Sequence, residues 1–361
     1  MESGSPVPAL PPDGPAAPPA TPSASSDRTR DALHVFYAVI FSATFLLGTA
    51  GNGLVIWVSG FRMTRTVNGV WYLHLAVADF AFCLFLPLAA AQAALGFHWP
   101  FGRPLCKVYN SLGGLNLFAS VFLLTLISAD RCVCVLRPVW AQRRRSPGRA
   151  ALAGVGAWLL ALALSVPQFL FRDTDGEGEH VHCYNNFDPW NETRGDEELR
   201  WELEKTRMVA VAVTRLVLGF VLPLVTIGAC YALVLVQLAR KGELRGTGRP
   251  LRVLVAVVSA FFLCWLPVHV ASALQLVAYV RGSQALFAAV GVVGPLGVCL
   301  ICVNSCLDPV LYAFLGQDFR EHLLRSLPAS LERALAEESD RTPLTGSSSG
   351  SGPPKLEIHH L

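Results

Sequence analysis

Asp79 lies in LHLAVADFAF, Asp308 in NSCLDPVLYAF, and Asp130 with Arg131 closes the apolar run that leads into CVCVLRPVWAQRRR. Charge inside an apolar helix is stable only where it meets another charge, a polar cluster or water. Asp79 and Asp308, together with Asn52, Asn116, Ser120 and Asn304, offer oxygen donors able to hold a sodium ion or, at lower pH, protons. Arg215 stands alone in the apolar stretch VAVTRLVLGF, a fixed cationic fork for a carboxylate; an internal ion pair or a snorkelling side chain is the competing use. In FFLCWLPVHV, Pro267 removes a helix hydrogen bond and kinks the chain, with Trp265 two residues before it and Phe261 one turn below. A ligand that shifts Trp265, and through it Phe261, would swing the inner half of that helix. Pro223 can loosen the preceding apolar run in the same way. No phosphate-binding Gly-rich loop, zinc-ligand His cluster or nucleophile elbow accompanies these groups, so neither catalysis nor a metal centre is expected.

The elements that position these residues follow from composition. Of 361 residues, 53% are hydrophobic and only 15% charged, far below the charge of a soluble domain of this size. The apolar residues gather into seven runs, at about 35–59, 69–95, 111–136, 151–171, 208–238, 251–280 and 285–315. Each is long enough for a helix that crosses a bilayer, which needs about 20 residues, and too long for a barrel strand. The expected fold is therefore all-α, a seven-transmembrane helix bundle. Arg62, Arg65, Arg137, Arg143, Arg144, Arg145, Arg149, Arg240, Lys241, Arg320 and Arg325 fall between or after alternate runs and mark the cytoplasmic face. Arg28 and Arg30 dissent mildly on the other side. The run 143–145 reads as a solvated basic face, open to lipid headgroups or a bound protein; the net charge of +3 gives no reason to expect nucleic acid.

With seven spans the N-terminus lies outside and the C-terminus inside. Residues 1–32, rich in Pro, Ala and Ser, are expected to be disordered, and no cleavable signal peptide is visible. Most of the ten cysteines fall within apolar runs as small buried side chains; only Cys106 and Cys183 are placed on the oxidising side, where a bond would tie the loop 172–207 over the bundle. The sequon at Asn191 lies in the same loop, and glycosylation there agrees with the orientation.

GNGLV with Asn52, LAVAD with Asp79, Cys106, ADRC with Arg131, Trp158, Pro223 with Tyr231, CWLP, and NSCLDPVLY with Tyr312 occur in this order and at characteristic intervals. Together they resemble the rhodopsin-like G-protein-coupled receptors over about residues 33–335. FRMTRTVNGVWYLHLAVADF, HWPFG, LNLFASVFLL, VLRPVWAQ, RPLRVL and GQDFREHLLRSLPASLERAL are similar to formyl peptide receptors. FRDT, CYNNF and VTRLVLGF look more like chemerin receptors, and the second prostaglandin D2 receptor belongs to the same chemoattractant branch. The resemblance implies that Asp130 holds Arg131 at rest and that outward movement of the sixth helix frees it. Tyr231 and Tyr312 then pack beside Arg131, and the C-terminal helix of an inhibitory-class G protein α subunit enters the cavity.

The ligand pocket departs from the formyl peptide receptors, which have an aspartate in the third helix and two arginines one turn apart in the fifth. Here those positions are Gly114, Val211 and Arg215, so only Arg215 remains. Gly113 and Gly114 should open space on the third helix. Arg215, Gly114, Trp265, His269 and Gln275 are the expected ligand contacts, for a peptide or a lipid carboxylate. The loop acids, including Asp173, Asp175, Glu177, Glu179, Glu197 and Glu198, read as a solvated lid or as selectors of a basic protein ligand. Residues 33–315 form the receptor domain, 316–335 an amphipathic membrane-surface helix and 336–361 a disordered tail. Ser339, Thr342, Thr345, Ser347, Ser348 and Ser349 are expected substrates of receptor kinases, read by arrestin, with an inert Ser/Gly linker as the alternative. The chain is expected at the plasma membrane; the competing functions are a non-signalling scavenger receptor and, more remotely, a transporter.

Overall fold

In hydrocarbon every backbone N–H and C=O must be paired within its own segment, so apolar runs of this length become helices. The structure, a computed structural model, describes the backbone of residues 24–176, 181–242 and 248–315 and the side chains of 32–176, 181–242 and 255–310. Among these, seven helical stretches are long and apolar enough to span a bilayer: Ala32–Arg62, Val67–Ala94, Gly102–Leu136, Pro147–Phe171, Glu197–Lys241, Val255–Arg281 and Gln284–Val310. They are built from α1 (Ala24–Trp57), α2 (Val67–Cys83), α3 (Leu86–Ala94), α4 (Gly102–Leu136), α5 (Pro138–Arg144), α6 (Pro147–Phe171), α7 (Glu197–Leu216), α8 (Leu222–Lys241), α9 (Gly248–Arg281) and α10 (Gln284–Leu315). The third span is the axis, with 61% of its most apolar window buried against 17% for the fifth. Large apolar side chains such as Leu46, Leu47, Leu159, Val225 and Leu263 point outward, the distribution expected where lipid replaces water.

Helix starts are chemically marked. The side chain of Thr66 accepts a hydrogen bond from Gly69 N at 3.0 Å, and Asp196 accepts one from Leu199 N at 3.1 Å, each satisfying an otherwise unpaired first-turn amide. Glu197 and Glu198 occupy the first turn of α7, where carboxylates favour the positive end of the helix dipole. These two acids therefore begin a helix that runs outside the bilayer; they do not sit in a lid loop. Glu177 and Glu179 lie outside the described residues. Pro223 follows a wide π-type turn, Val217–Val221, that separates α7 from α8 within the fifth span and lies immediately inward of Arg215.

Two expectations are corrected here. Helix α1 starts at Ala24, so residues 24–32 of the arm expected to be disordered are helical. The structure is also not purely helical: β1 (Arg172–Asp175) and β2 (His182–Asn185) pair antiparallel, with Arg172 opposite Asn185 and Thr174 opposite Cys183. The Cys106–Cys183 disulfide ties this ribbon to the outer end of α4. Asn191 is exposed beyond it, compatible with a glycan. The expected amphipathic helix 316–335 and the phosphorylation sites in the tail lie outside the described residues.

Candidate functional site

The outer ends of the helices enclose a cavity of about 180 Å³. Gly113 and Gly114 of α4, Gln168 of α6, Arg172 of β1, Arg215 of α7 and Trp265 of α9 all line it. Alternation along β1 explains how Arg172 arrives there, since neighbouring strand residues face opposite ways. Asp173 turns to Arg103 instead, with an N···O distance of 2.7 Å, and also accepts from Asn186. Among the described residues neither Arg172 nor Arg215 is in an ion pair, and the buried Nε of Arg215 has no hydrogen-bond partner. Burial, and then the charge of Arg215, push the Arg172 guanidinium down to about 10. Two half-buried cations face one cavity with no anion paired to them among the described residues.

The remaining expected contacts divide. A Cβ on Gly114 would overlap the side-chain amide of Gln168, so the room on α4 is filled by that amide, a polar group that sequence reasoning missed. Trp265 is 3% exposed at the cavity, and its ring lies 5.7 Å from that of Phe261. His269 is not on the cavity wall: it is buried against Phe220, ring centroids 4.8 Å apart. Gln275 is exposed and also outside the lining. Neither expectation is met, although both residues fall at helical spacing from Trp265 and Val268: His269 turns its ring to Phe220, and Gln275 stands exposed farther out along α9.

Below the cavity, Asp79 and Asp308 are buried beside one another. Two carboxylates hold such a contact only with a proton or a cation to relieve their repulsion. Asn116 Nδ2 donates to Asp79 Oδ1 at 2.9 Å and Ser305 Oγ to the same oxygen at 2.8 Å. Asn52 bridges to the backbone of α10 through Ser305 O at 2.8 Å. Ser305 was not among the residues picked from the sequence. Asp79 Oδ2, Ser120 Oγ and Asn304 Oδ1 are buried without hydrogen-bond partners, a set of oxygens whose chemistry fits a small hard cation.

The inner end of α4 corrects the expected Asp130–Arg131 lock. Asp130 is bonded by Arg145, whose Nε lies 2.8 Å from Oδ1 and Nη2 3.0 Å from Oδ2. Arg145 Nη2 also donates to Asn68 Oδ1 at 2.8 Å, and Arg131 Nη2 donates to that same oxygen. Burial acts to lower the Arg145 pKa, but the Asp130 hydrogen bonds and charge outweigh it and raise it. Arg145 wins because a bidentate fork from the C-terminal end of α5 meets the carboxylate squarely, whereas Arg131 sits beside it on the same helix. The third arginine of the run 143–145 is thus a structural partner rather than part of a solvated face. Tyr231 is half-buried near Ser128 and Arg131, with its hydroxyl oxygen buried. Pro267 lies within α9, and the side chain of Tyr312 is outside the described residues.

Residues 51–312 match the family described as 7 transmembrane receptor (rhodopsin family). The N-formyl peptide receptor 2 of Homo sapiens is 44% identical over 337 residues, covering 91% of this chain and 93% of that protein. Formyl peptide receptor 2 of Mus musculus is 44% identical over 331 residues, covering 90% and 92% respectively. The fMet-Leu-Phe receptor of Homo sapiens is 42% identical over 327 residues, covering 90% and 92%. The seven spans and these relatives define a multi-pass plasma-membrane receptor, not an enzyme, with chemoattractant character. The chain belongs to the rhodopsin family of seven-transmembrane receptors and, within it, to the formyl peptide receptor type.

Proposed function

We propose that this receptor answers an extracellular ligand bearing a carboxylate, seated between Arg172 and Arg215, and passes the signal to an inhibitory-class G protein. The observation that supports it is two guanidiniums beside one cavity, neither in an ion pair among the described residues, with the Nε of Arg215 buried and unbonded. A charge-assisted hydrogen bond to such a group contributes about 1.5–3 kcal/mol, and the absence of a competing internal anion leaves that stabilisation for the ligand. The named relatives take formylated peptides, but the aspartate and second arginine expected of such a site are replaced by Gly114 and Val211. A peptide C-terminus or a lipid acid satisfies the two cations equally well.

Transmission runs through Trp265 and Phe261 to the inner half of α9, which hinges at Pro267. A ligand favours the open state only by as much as it binds that state more tightly. Asp79, Asp308, Asn116, Ser120 and Asn304 would hold a sodium ion in the resting bundle, its charge balancing the paired carboxylates. Arg131 then contacts the G protein, with Tyr231 and Tyr312 packing near it, and the phosphorylated tail recruits arrestin.

The test is inhibition of cyclic AMP in cells expressing the receptor. Formyl peptides, free-acid peptides and lipid carboxylates would each be compared with their amides or esters. Activity of acids and silence of the matched amides and esters is the expected result; equal activity of both forms refutes the carboxylate reading. Internalisation of ligand without G-protein dissociation would identify a scavenger instead.

A further inference from the structure

Arg215 borders two cavities. Besides the central one, it lines a second space of about 240 Å³ between α6 and α7, which shares Pro167, Gln168, Phe171 and Val211 with the first. Although α6 and α7 are neighbours around this space, their backbones scarcely approach one another, whereas both α6 and the fifth span pack extensively on α4. At the lipid-facing side the lining residues are Ala163 and Ala210, both exposed, so the cleft is bounded there by methyl groups alone. Its outer end carries Arg207, but that cation is already engaged. Arg207 donates to Phe187 O at 2.7 Å and to both carboxylate oxygens of Glu192 at 2.8 Å, and it lies over the rings of Phe171 and Trp190. Capped outward by an engaged arginine and flanked by exposed alanines, the cleft ends on Arg215, which has no anion among the described residues.

We propose that the cleft between α6 and α7 is a lateral portal and tail-binding site for a single-chain lipid carboxylate that enters from the outer leaflet. Its headgroup meets Arg215 at the junction of the two cavities, and its alkyl chain lies past Ala163 and Ala210 into the bilayer. Charge complementarity selects this occupant. A neutral lipid tail gains nothing by leaving other tails for an apolar groove, whereas a carboxylate gains a charge-assisted bond to a cation that lacks one. The proposal rests on the carboxylate reading of Arg215 and adds to it the route and the ligand class.

The test uses the full-length receptor in phosphatidylcholine nanodiscs. The probe is a long-chain fatty acid carrying a diazirine and an alkyne, alongside its methyl ester. Cross-linked peptides are mapped for the wild type, Arg215→Gln, Ala163→Trp and Ala210→Phe, each checked for an unchanged melting temperature. The acid, and not the ester, is expected to label the outer halves of α6 and α7. That labelling should fall by about tenfold or more in Arg215→Gln and by a similar factor when either bulky side chain plugs the mouth. Acid-selective labelling that needs Arg215 but survives both plugs overturns the portal while leaving the carboxylate reading intact. Equal labelling by acid and ester, indifferent to Arg215, marks ordinary annular lipid and overturns both.

Discussion

A guanidinium whose Nε is buried without a partner, as in Arg215, costs stability that a bound anion would offset. Arg172→Gln and Arg215→Gln should each lower agonist potency by about 10–100-fold through loss of a charge-assisted contact. Surface expression should hold, as measured by antibody binding to intact cells; unchanged potency in both variants would remove the pair from the site. The paired carboxylates carry a second expectation. Asp79→Asn relieves their repulsion and removes one charge for a cation, so agonist affinity should cease to depend on sodium concentration in a radioligand assay. A sodium dependence equal to that of the wild type would place the ion elsewhere. Arg215, Asp79 and Asp308 were legible in the sequence because each interrupts an apolar run, where a charge is costly and seldom without a use. Arg172 was not, since it follows the run and stands among loop acids; only the alternation of β1 directs it inward while Asp173 turns to Arg103. His269 and Gln275 were misjudged because helical spacing from Trp265 fixes a residue's side of α9 but not whether its side chain reaches the cavity; His269 turns to Phe220 instead.

Among the elements, the second inner loop holds the least expected arrangement. Arg145, in the link between α5 and α6, takes the carboxylate of Asp130 and shares Asn68 with Arg131, so α2, α4 and that link meet in one polar knot. Asp130 is left half-shielded with its neighbour Arg131 free of it. Replacing Arg145 with Gln should hand Asp130 back to Arg131, tighten the resting state and reduce basal and agonist-driven G-protein dissociation by about tenfold, as for loss of one partly buried ion pair. Equal signalling by Arg145→Gln and the wild type would show that the knot is architectural only. Helix existence was readable from apolar periodicity and length, and the seven runs matched seven spans. The ends were not readable, because the extramembrane turns of α7 are polar and are held by the Asp196 cap and by ion pairs such as Arg200 with Glu204 at 2.9 Å. A contact like Arg145 to Asp130 joins residues on different helices, and no local pattern announces it.

At the scale of the whole molecule, the disulfide, the sequon and the basic inner loops agree on one orientation, which puts the proposed ligand site and the proposed G-protein site at opposite ends of α4. Cys106→Ser should release β2 from α4 and destabilise the outer surface by about 2–5 kcal/mol, read as reduced surface expression and lost ligand binding. Normal expression and normal binding together would mean that the ribbon does not need its tether. The account depends most on the link between the two ends: an anion at Arg215 and Arg172 must move the inner half of α9. Spin labels at Arg137 and Val255, both exposed, would report that movement against native free cysteines that are buried or half-buried. The distance between the labels should lengthen with the most active carboxylate from the cyclic AMP screen, stay short with its methyl ester, and stay short with either in Arg215→Gln. Lengthening with the ester, or in the variant lacking Arg215, would contradict the account.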